Sequence, residues 1–372
     1  MKKILYIINV DWFYISHFLP VGLEGIKRGY EVHLACGITD KKKYLESLGF
    51  IIHPLIISRS GISIKTELKT IIEIYKIIKS INPQVLEFFT IKPVLYGGIV
   101  SRFLRIPKKV FYITGLGYVF VACGFKGFIV RNIVKTLYKL AIIGKTNSII
   151  TENIYDKELI NSLKVVNNNQ IKIIRGAGVD LSNYRYKEEN NSNIKVSMAC
   201  RLLKDKGIFE YIKAAKILKQ KLPNLEFELY GDIDIHNPAS LTNEDIQKIK
   251  KDALVNVYGF SSTIASVFTN SNIVVLPSYR EGLPKVLIEA AACGRAVVTT
   301  DVPGCRDAIE PNTTGLLCKV KDANSLANAI EKLVLDNELR NSMGKAGRKL
   351  AEKEFDIKKV VEKHFEIYED KA

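Results

Sequence analysis

Between Glu87 and Glu152 the chain has no aspartate or glutamate, yet ten Lys or Arg residues fall there: Lys92, Arg102, Arg105, Lys108, Lys109, Lys126, Arg131, Lys135, Lys139 and Lys145. Cysteine is sparse, with six in 372 residues, and no two stand in CxxC spacing or beside clustered histidines. That argues against a disulfide framework and a structural zinc site, and it points to a reducing compartment. The N-terminal apolar run after Lys2-Lys3 is too short for a signal peptide, and no small-residue cleavage site follows it. The uncharged stretch Val110–Phe125 has 16 residues, short of the roughly 20 needed to cross a bilayer. The turn after the first predicted strand, VDWFYIS, lacks the G-x-G-x-x-G of dinucleotide-binding folds.

What is present is an ordinary globular composition, 47% apolar and 25% charged, with a net charge of +16. Disordered and fibrous classes are out. Residues 1–180 carry 26 basic and 12 acidic side chains, so nearly all the excess lies in the first half. A balance of this kind asks for an anionic partner: nucleic acid, a membrane surface or a phosphorylated substrate. A solvated basic face is the plain alternative.

Short β-branched runs alternate with amphipathic stretches along the whole chain. Ile4–Asn9, Glu31–Cys36, Ile51–Leu55, Val85–Phe88, Lys109–Tyr112, Ser148–Thr151 and Ile171–Ile174 read as strands of one parallel sheet. Tyr186–Asn193, YKEENNSN, reads as a linker. A second alternation follows, with strands at Ile194–Ala199, Phe227–Tyr230, Val255–Tyr258, Ile273–Leu276, Ala296–Thr299 and Leu316–Cys318. The pattern predicts an α/β protein of two doubly wound parallel-sheet domains facing a central cleft. They are residues 1–185 and 194–356, with the helix at 357–372 packing back on the first. Ligands in such sheets bind at strand carboxyl ends.

Two segments carry candidate chemistry. In LPSYREGLPKVLIEAAACG (276–294) a strand ends, a Gly-Leu-Pro turn follows, and a helix runs to Gly294. Glu281 lies at the mouth of that helix and Glu289 two turns on. The amides of Gly282 and Leu283 suit an anion or hydroxyl, and the carboxylates suit sugar hydroxyls, which donate hydrogen bonds. In ACRLLKDKG (199–207) Arg201 and Lys206 follow the first strand of the second domain, and together they suit a diphosphate. The bland readings are a capping Glu281, a surface Glu289 and a basic loop.

The spacing from Glu281 to Glu289, E-GLPKVLI-E, resembles the E-x7-E motif of family-4 retaining glycosyltransferases, which have the two-domain GT-B architecture. RLLKDKG at 201–207 is similar to that family's phosphate-binding loop, and GAGVD at 176–180 to its G-V-D turn. VDWFYISHFLPVGLEGIKRGYEVHLA and TGLGYVF resemble a subgroup that assembles bacterial capsule and O-antigen glycans. The resemblance spans nearly the whole chain. It implies that Arg201 and Lys206 neutralise the donor diphosphate, Glu289 takes the ribose hydroxyls, and Glu281 holds the donor sugar with Gly282 and Leu283. Phe260 is a candidate wall for the base. Asp11, Trp12, Thr114, Gly115 and Asn153, at strand ends of the first domain, are candidate acceptor or cleft residues. Many members carry a histidine after the fifth strand, and this chain has none there. His17, in SHFLP at the expected start of a helix, either contacts donor or acceptor or caps that helix.

The expected activity is transfer of a sugar, such as an N-acetylhexosamine, from a UDP-linked donor to a saccharide on a lipid pyrophosphate. Configuration is retained, and neither metal nor cofactor takes part. Asp232-Ile233-Asp234 reads as a strand-end loop, not a metal site. A sugar-nucleotide epimerase on the same scaffold, or a basic nucleic-acid-binding protein, are the alternatives. No nucleic-acid motif is found. Arg131, Lys135 and Lys139 at four-residue steps predict a stripe facing an anionic membrane, with Ile129, Ile133 and Leu137 packed on the sheet and Val110–Phe125 dipping into the interface. The expected location is cytoplasmic, peripheral at the inner face of the cell membrane.

Overall fold

The structure is a computed structural model that describes residues 1–57, 63–116, 124–190, 192–235 and 237–370, with the side chains of 124–127 and 129 left out. Cys123, His236, and Tyr118 and Phe120 of the TGLGYVF segment lie outside these residues, as does the Ile129 side chain.

The chain forms two compact units, Met1–Ala177 with Lys358–Ala372, and Gly178–Ile357. The first contains β1 (Lys3–Val10), α1 (Asp11–His17), α2 (Leu19–Lys27), β2 (Glu31–Gly37), α3 (Lys42–Ser47), β3 (Ile51–Pro54), α4 (Ile64–Ile81), β4 (Val85–Phe89), α5 (Ile91–Ser101), β5 (Lys108–Ile113), α6 (Gly124–Ile142), β6 (Asn147–Thr151), α7 (Ile154–Asn161) and β7 (Ile171–Ile173). Its seven strands pair in the order β3-β2-β1-β4-β5-β6-β7, all parallel. β4 and β6 are buried along their whole length because helices cover both faces, which is why they read as unbroken apolar runs.

The second unit contains β8 (Lys195–Ala199), α8 (Ile208–Lys221), β9 (Glu226–Tyr230), α9 (Asn243–Asp252), β10 (Asn256–Val257), α10 (Ile264–Thr269), β11 (Ile273–Leu276), α11 (Lys285–Ala292), β12 (Ala296–Thr300), β13 (Gly315–Cys318), α12 (Ala323–Leu335) and α13 (Asn337–Leu350). The order is β10-β9-β8-β11-β12-β13, again all parallel. In each sheet the strand order reverses once, between β1 and β4 and between β8 and β11. Those are the switch points where crevices open at the carboxyl ends.

The boundary differs from the sequence expectation. Tyr186–Asn193 is not a linker: Glu189 takes a 2.7 Å bond from Arg340 Nε and a 2.7 Å bond from Asn272 Nδ2, and the side chains of both Glu189 and Arg340 are buried. A polar segment can be tied down when its charges meet buried partners, and composition does not reveal those partners. The true crossings are at Gly178–Asp180 and Phe355–Ile357, which pair with each other through Val179 N to Phe355 O (2.8 Å) and Ile357 N to Val179 O (3.0 Å).

The last helix, α14 (Ile357–Glu369), belongs from Lys358 onward to the first unit. His364 Nδ1 lies 3.4 Å from the fully buried Glu87 on β4, and the Tyr368 hydroxyl donates to the same carboxylate. The Tyr112 ring on β5 stacks on His364 at 5.5 Å. A buried carboxylate is costly unless hydrogen-bonded, so these contacts fix α14 on the sheet.

Candidate functional site

The second unit's switch point brings the two motif segments together. Lys206 follows β8 and Glu281 follows β11, and their side chains meet with Nζ to Oε1 at 2.5 Å. The Ser278 hydroxyl donates to the same oxygen at 2.6 Å. Burial alone pulls the Lys206 ammonium down. The Glu281 carboxylate overrides it, and the group sits above its ordinary value.

Three glycines let the loops close on one another. Gly207 has φ +78°, and a Cβ there meets Pro277 O at 2.2 Å. Gly231, φ +142°, lies against Cys200 O. Gly304, φ +82°, lies under the backbone of Glu281 and Gly282, where a Cβ meets Gly282 O at 2.2 Å. The turn after β12 thus supports the Glu281 loop from below, a role the sequence reading missed; its signal was the V-P-G turn after a strand. Tyr279 N donates to Asp205 O at 2.8 Å and ties the same loop to the Lys206 segment.

Arg201 is half-exposed and pairs with Asp234 at 3.0 Å. Asp232 accepts from Phe260 N at 3.1 Å. The D-x-D pair therefore holds two loops. Among the described residues no three His, Cys, Asp or Glu side chains converge as metal ligands. Phe260 is 76% exposed at the carboxyl end of β10, while Tyr258 beside it stacks on Tyr230 at 4.9 Å.

Glu289 is not on the surface. It is buried in α11, accepts from the Tyr184 hydroxyl at 2.8 Å, and lies 3.4 Å from Lys285 Nζ. Burial raises its carboxyl above the ordinary value, and Lys285 and Tyr184 act against that rise. Leu283 is buried at the entrance to α11, next to Gly282.

In the first unit the candidates divide. Asp11 does not open to solvent at the end of β1: it is fully buried and accepts from Thr39 N and Thr39 Oγ1, both at 2.8 Å, pinning the loop after β2. Asn153 caps α7, accepting from Asp156 N at 2.7 Å. The Asn153 bond is the local capping kind that its residue type favours at a strand-to-helix turn, whereas Asp11 reaches 28 positions along the chain. His17 does not start or cap a helix. It closes α1, with Nδ1 2.5 Å from Ser16 Oγ and its ring 4.1 Å from Phe13, and α2 begins after Phe18 without a side-chain cap. Trp12, Thr114 and Gly115 are partly exposed at the ends of β1 and β5. Thr90, at the end of β4 beside the switch point, has φ +68°, rare for a β-branched residue; the sequence carries no sign of it.

The basic helix also differs from expectation. Ile133 is 54% exposed, and Val134, Tyr138, Ala141 and Ile142 pack on the core instead, with Leu137 only partly covered. The phase of α6 is set by Tyr138 and Ala141 docking in the core beside α5, where Ala141 lies against Gly98. The expected apolar dip at Val110–Phe125 is corrected in part: Val110–Ile113 is buried β5, and 117–123 lie outside the described residues.

Comparison with known proteins decides the family. Residues 183–350 match the model of glycosyl transferases group 1, and residues 3–153 match that of the glycosyl transferase 4-like family. The chain belongs to these glycosyltransferases. It is 29% identical over 369 residues, 95% of each chain, to the N,N'-diacetylbacillosaminyl-diphospho-undecaprenol alpha-1,3-N-acetylgalactosaminyltransferase of Campylobacter jejuni. It is 28% identical to the capsular polysaccharide biosynthesis glycosyltransferase CapM of Staphylococcus aureus, over 92% of this chain and 90% of CapM. The fold is shared with Anabaena HepE, solved with UDP and glucose, at a TM-score of 0.75 and 17% identity over 98% of this chain and 99% of HepE. This glycosyltransferase has the two parallel-sheet units of the GT-B architecture. The epimerase and nucleic-acid alternatives find no support in these matches.

Proposed function

We propose that the enzyme transfers a sugar from a UDP-linked donor, with retention of configuration and without a metal, to a saccharide carried on a lipid diphosphate. The observation that carries the reading is the meeting of Lys206 and Glu281 at the switch point of the second sheet, with Glu289 buried about one turn into α11. Lys206 keeps donors beyond the one given to Glu281 and neutralises the charge that develops on the leaving diphosphate; Arg201 adds a planar fork. Glu281 and the amides of Gly282 and Leu283 take the sugar hydroxyls. Glu289 takes the ribose hydroxyls, and Phe260 flanks the base. The leaving phosphate accepts the proton of the attacking hydroxyl on the same face, so catalysis is positioning and charge stabilisation. Trp12, Thr114, Gly115 and His17 serve the acceptor side. The lipid-linked acceptor and the UDP carrier follow the names of the relatives above.

A membrane face suits such an acceptor. α5 packs between α4 and α6. This helical layer exposes Ile64, Leu68 and Ile72 on α4, Phe103 after α5, and Ile133, Leu140 and Ile143 along and after α6. Lys65, Lys69, Arg102 and Lys139 stand exposed among them, and Arg131 and Lys135 are half-buried. Apolar groups interspersed with cations complement an anionic leaflet. No described helix is long and apolar enough to cross a membrane.

The test is a screen of UDP-, GDP- and dTDP-sugars with an undecaprenyl-diphosphate saccharide, with and without EDTA, and NMR of the product anomer. Transfer from a UDP-sugar that survives EDTA and retains the anomer is expected. An inverted product, or rescue of an EDTA-silenced enzyme by manganese, overturns the mechanism.

A further inference from the structure

Tyr184 stands behind Glu289. Its hydroxyl donates to Oε1 at 2.8 Å, and Lys285 Nζ lies 3.4 Å from the same oxygen. Both of these contacts are made at Oε1. Tyr184 and Glu289 are 8% and 7% exposed.

The strap that carries Tyr184 is tied down beside the carboxyl end of α11. Arg348 Nη1 donates to Tyr184 O at 2.9 Å and to Ala292 O at 2.7 Å, joining the strap to the end of the helix. Two residues on, the Tyr186 ring covers Gly294, where a Cβ comes within 2.4 Å of Cδ2. Tyr184 N also bonds to Asp180 O at 2.9 Å. The Tyr184 main chain is therefore anchored on both its N–H and its carbonyl, and its buried ring extends from that fixed point to Glu289. Tyr184 also lines a cavity of about 380 Å³ with Asn183, Arg185, Ser262, Thr263 and Ser266.

A glutamate's terminal torsion is broad, so a carboxylate with no fixed partner samples many planes. A phenylalanine fills the space of the Tyr184 ring equally well, and the hydroxyl adds only its bond to Oε1. We infer that Tyr184 is a positioning residue of the donor site: its hydroxyl fixes the plane of the Glu289 carboxylate and leaves Oε2 to accept the ribose hydroxyls of the nucleotide. This rests on the reading that Glu289 holds the ribose.

The experiment is calorimetric titration of UDP, 2'-deoxy-UDP and 3'-deoxy-UDP into the full-length wild type, Tyr184→Phe and Glu289→Gln, at a temperature below the melting transition of each. Wild type is expected to bind UDP more tightly than at least one deoxy form. Tyr184→Phe is expected to weaken UDP about tenfold, or about 1.4 kcal/mol, while the deoxy forms change little, so the preference for the intact ribose collapses. A packing defect weakens all three ligands alike and leaves that preference standing. If Glu289→Gln loses the preference and Tyr184→Phe keeps it, the Tyr184 role is overturned and the Glu289 reading survives. A wild type that binds all three ligands alike, or none, overturns the ribose reading itself.

Discussion

Lys206 and Glu281, 75 positions apart in the chain, meet at 2.5 Å where the second sheet reverses its strand order. Each comes from a loop at a strand's carboxyl end, and β8 and β11 are neighbours only because the winding reverses there. The pair gives Lys206 a fixed place before any donor arrives, and Ser278 donates to the same Glu281 oxygen.

Lys206 is therefore expected to matter more than Arg201. Lys206→Met removes a partly buried, fixed cation and is predicted to cost roughly 2–4 kcal/mol of transition-state stabilisation. Arg201 is half-exposed and shared with Asp234, so Arg201→Met is predicted to lose less. The measurement is kcat/KM with saturating acceptor. Near-wild-type turnover in both variants counts against the assigned site.

Gly304 predicts a stability effect that reaches the donor loop. An alanine there is strained at φ +82° and drives its Cβ into Gly282 O. Gly304→Ala is expected to destabilise the second unit by about 1–3 kcal/mol and to weaken UDP binding. Thermal unfolding and titration at a temperature where the variant is folded separate the two effects. An unchanged melting temperature contradicts the packing described here.

His33 and His53 predict acid sensitivity. His33 Nδ1 faces His53 Nε2 at 2.9 Å, and His33 Nε2 lies 2.8 Å from Glu31 Oε1. Burial pulls both imidazoles below their ordinary value; Glu31 works against this for His33, while His33 adds to it for His53. The folded protein then binds fewer protons than the unfolded chain. The associated stability is present above the ordinary histidine range near pH 6.5 and is lost as pH falls through the lower folded values. His53→Gln is expected to flatten the melting temperature between pH 7.5 and 5. A slope equal to wild type rejects the assignment.

The helical layer of the first unit is expected to bind anionic liposomes. Arg131→Glu/Lys135→Glu/Lys139→Glu removes three cations worth about 1 kcal/mol each near a leaflet, roughly a hundredfold in binding. Ile133→Ser/Leu140→Ser is expected to weaken binding in a way that low salt does not restore. Wild-type protein that stays in the supernatant at low salt counts against a membrane face.

The strands were legible in the sequence because a parallel sheet covered on both faces demands unbroken β-branched runs, as in Ile273–Leu276 and Ala296–Thr300. The motif from Glu281 to Glu289, and the loop from Arg201 to Gly207, were legible because their residue types and spacings are local. Local spacing says nothing of what a side chain meets across the fold. Asp11 and Asn153 sit at strand ends as the pattern implied, yet their oxygens are taken by Thr39 and Asp156. Tyr186–Asn193 looked like a linker until Arg340 and Asn272 supplied buried partners for Glu189. The apolar face of α6 was assigned to Ile133, but a stretch with apolar residues on several sides has no single phase, and docking of Tyr138 and Ala141 chose it. Sequence alone determined the sheets, the switch-point loops and the charged residues on them. Tertiary structure decided which of those charges are bound inside the protein, because hydrogen-bond partners distant in the chain become neighbours only when the sheets close.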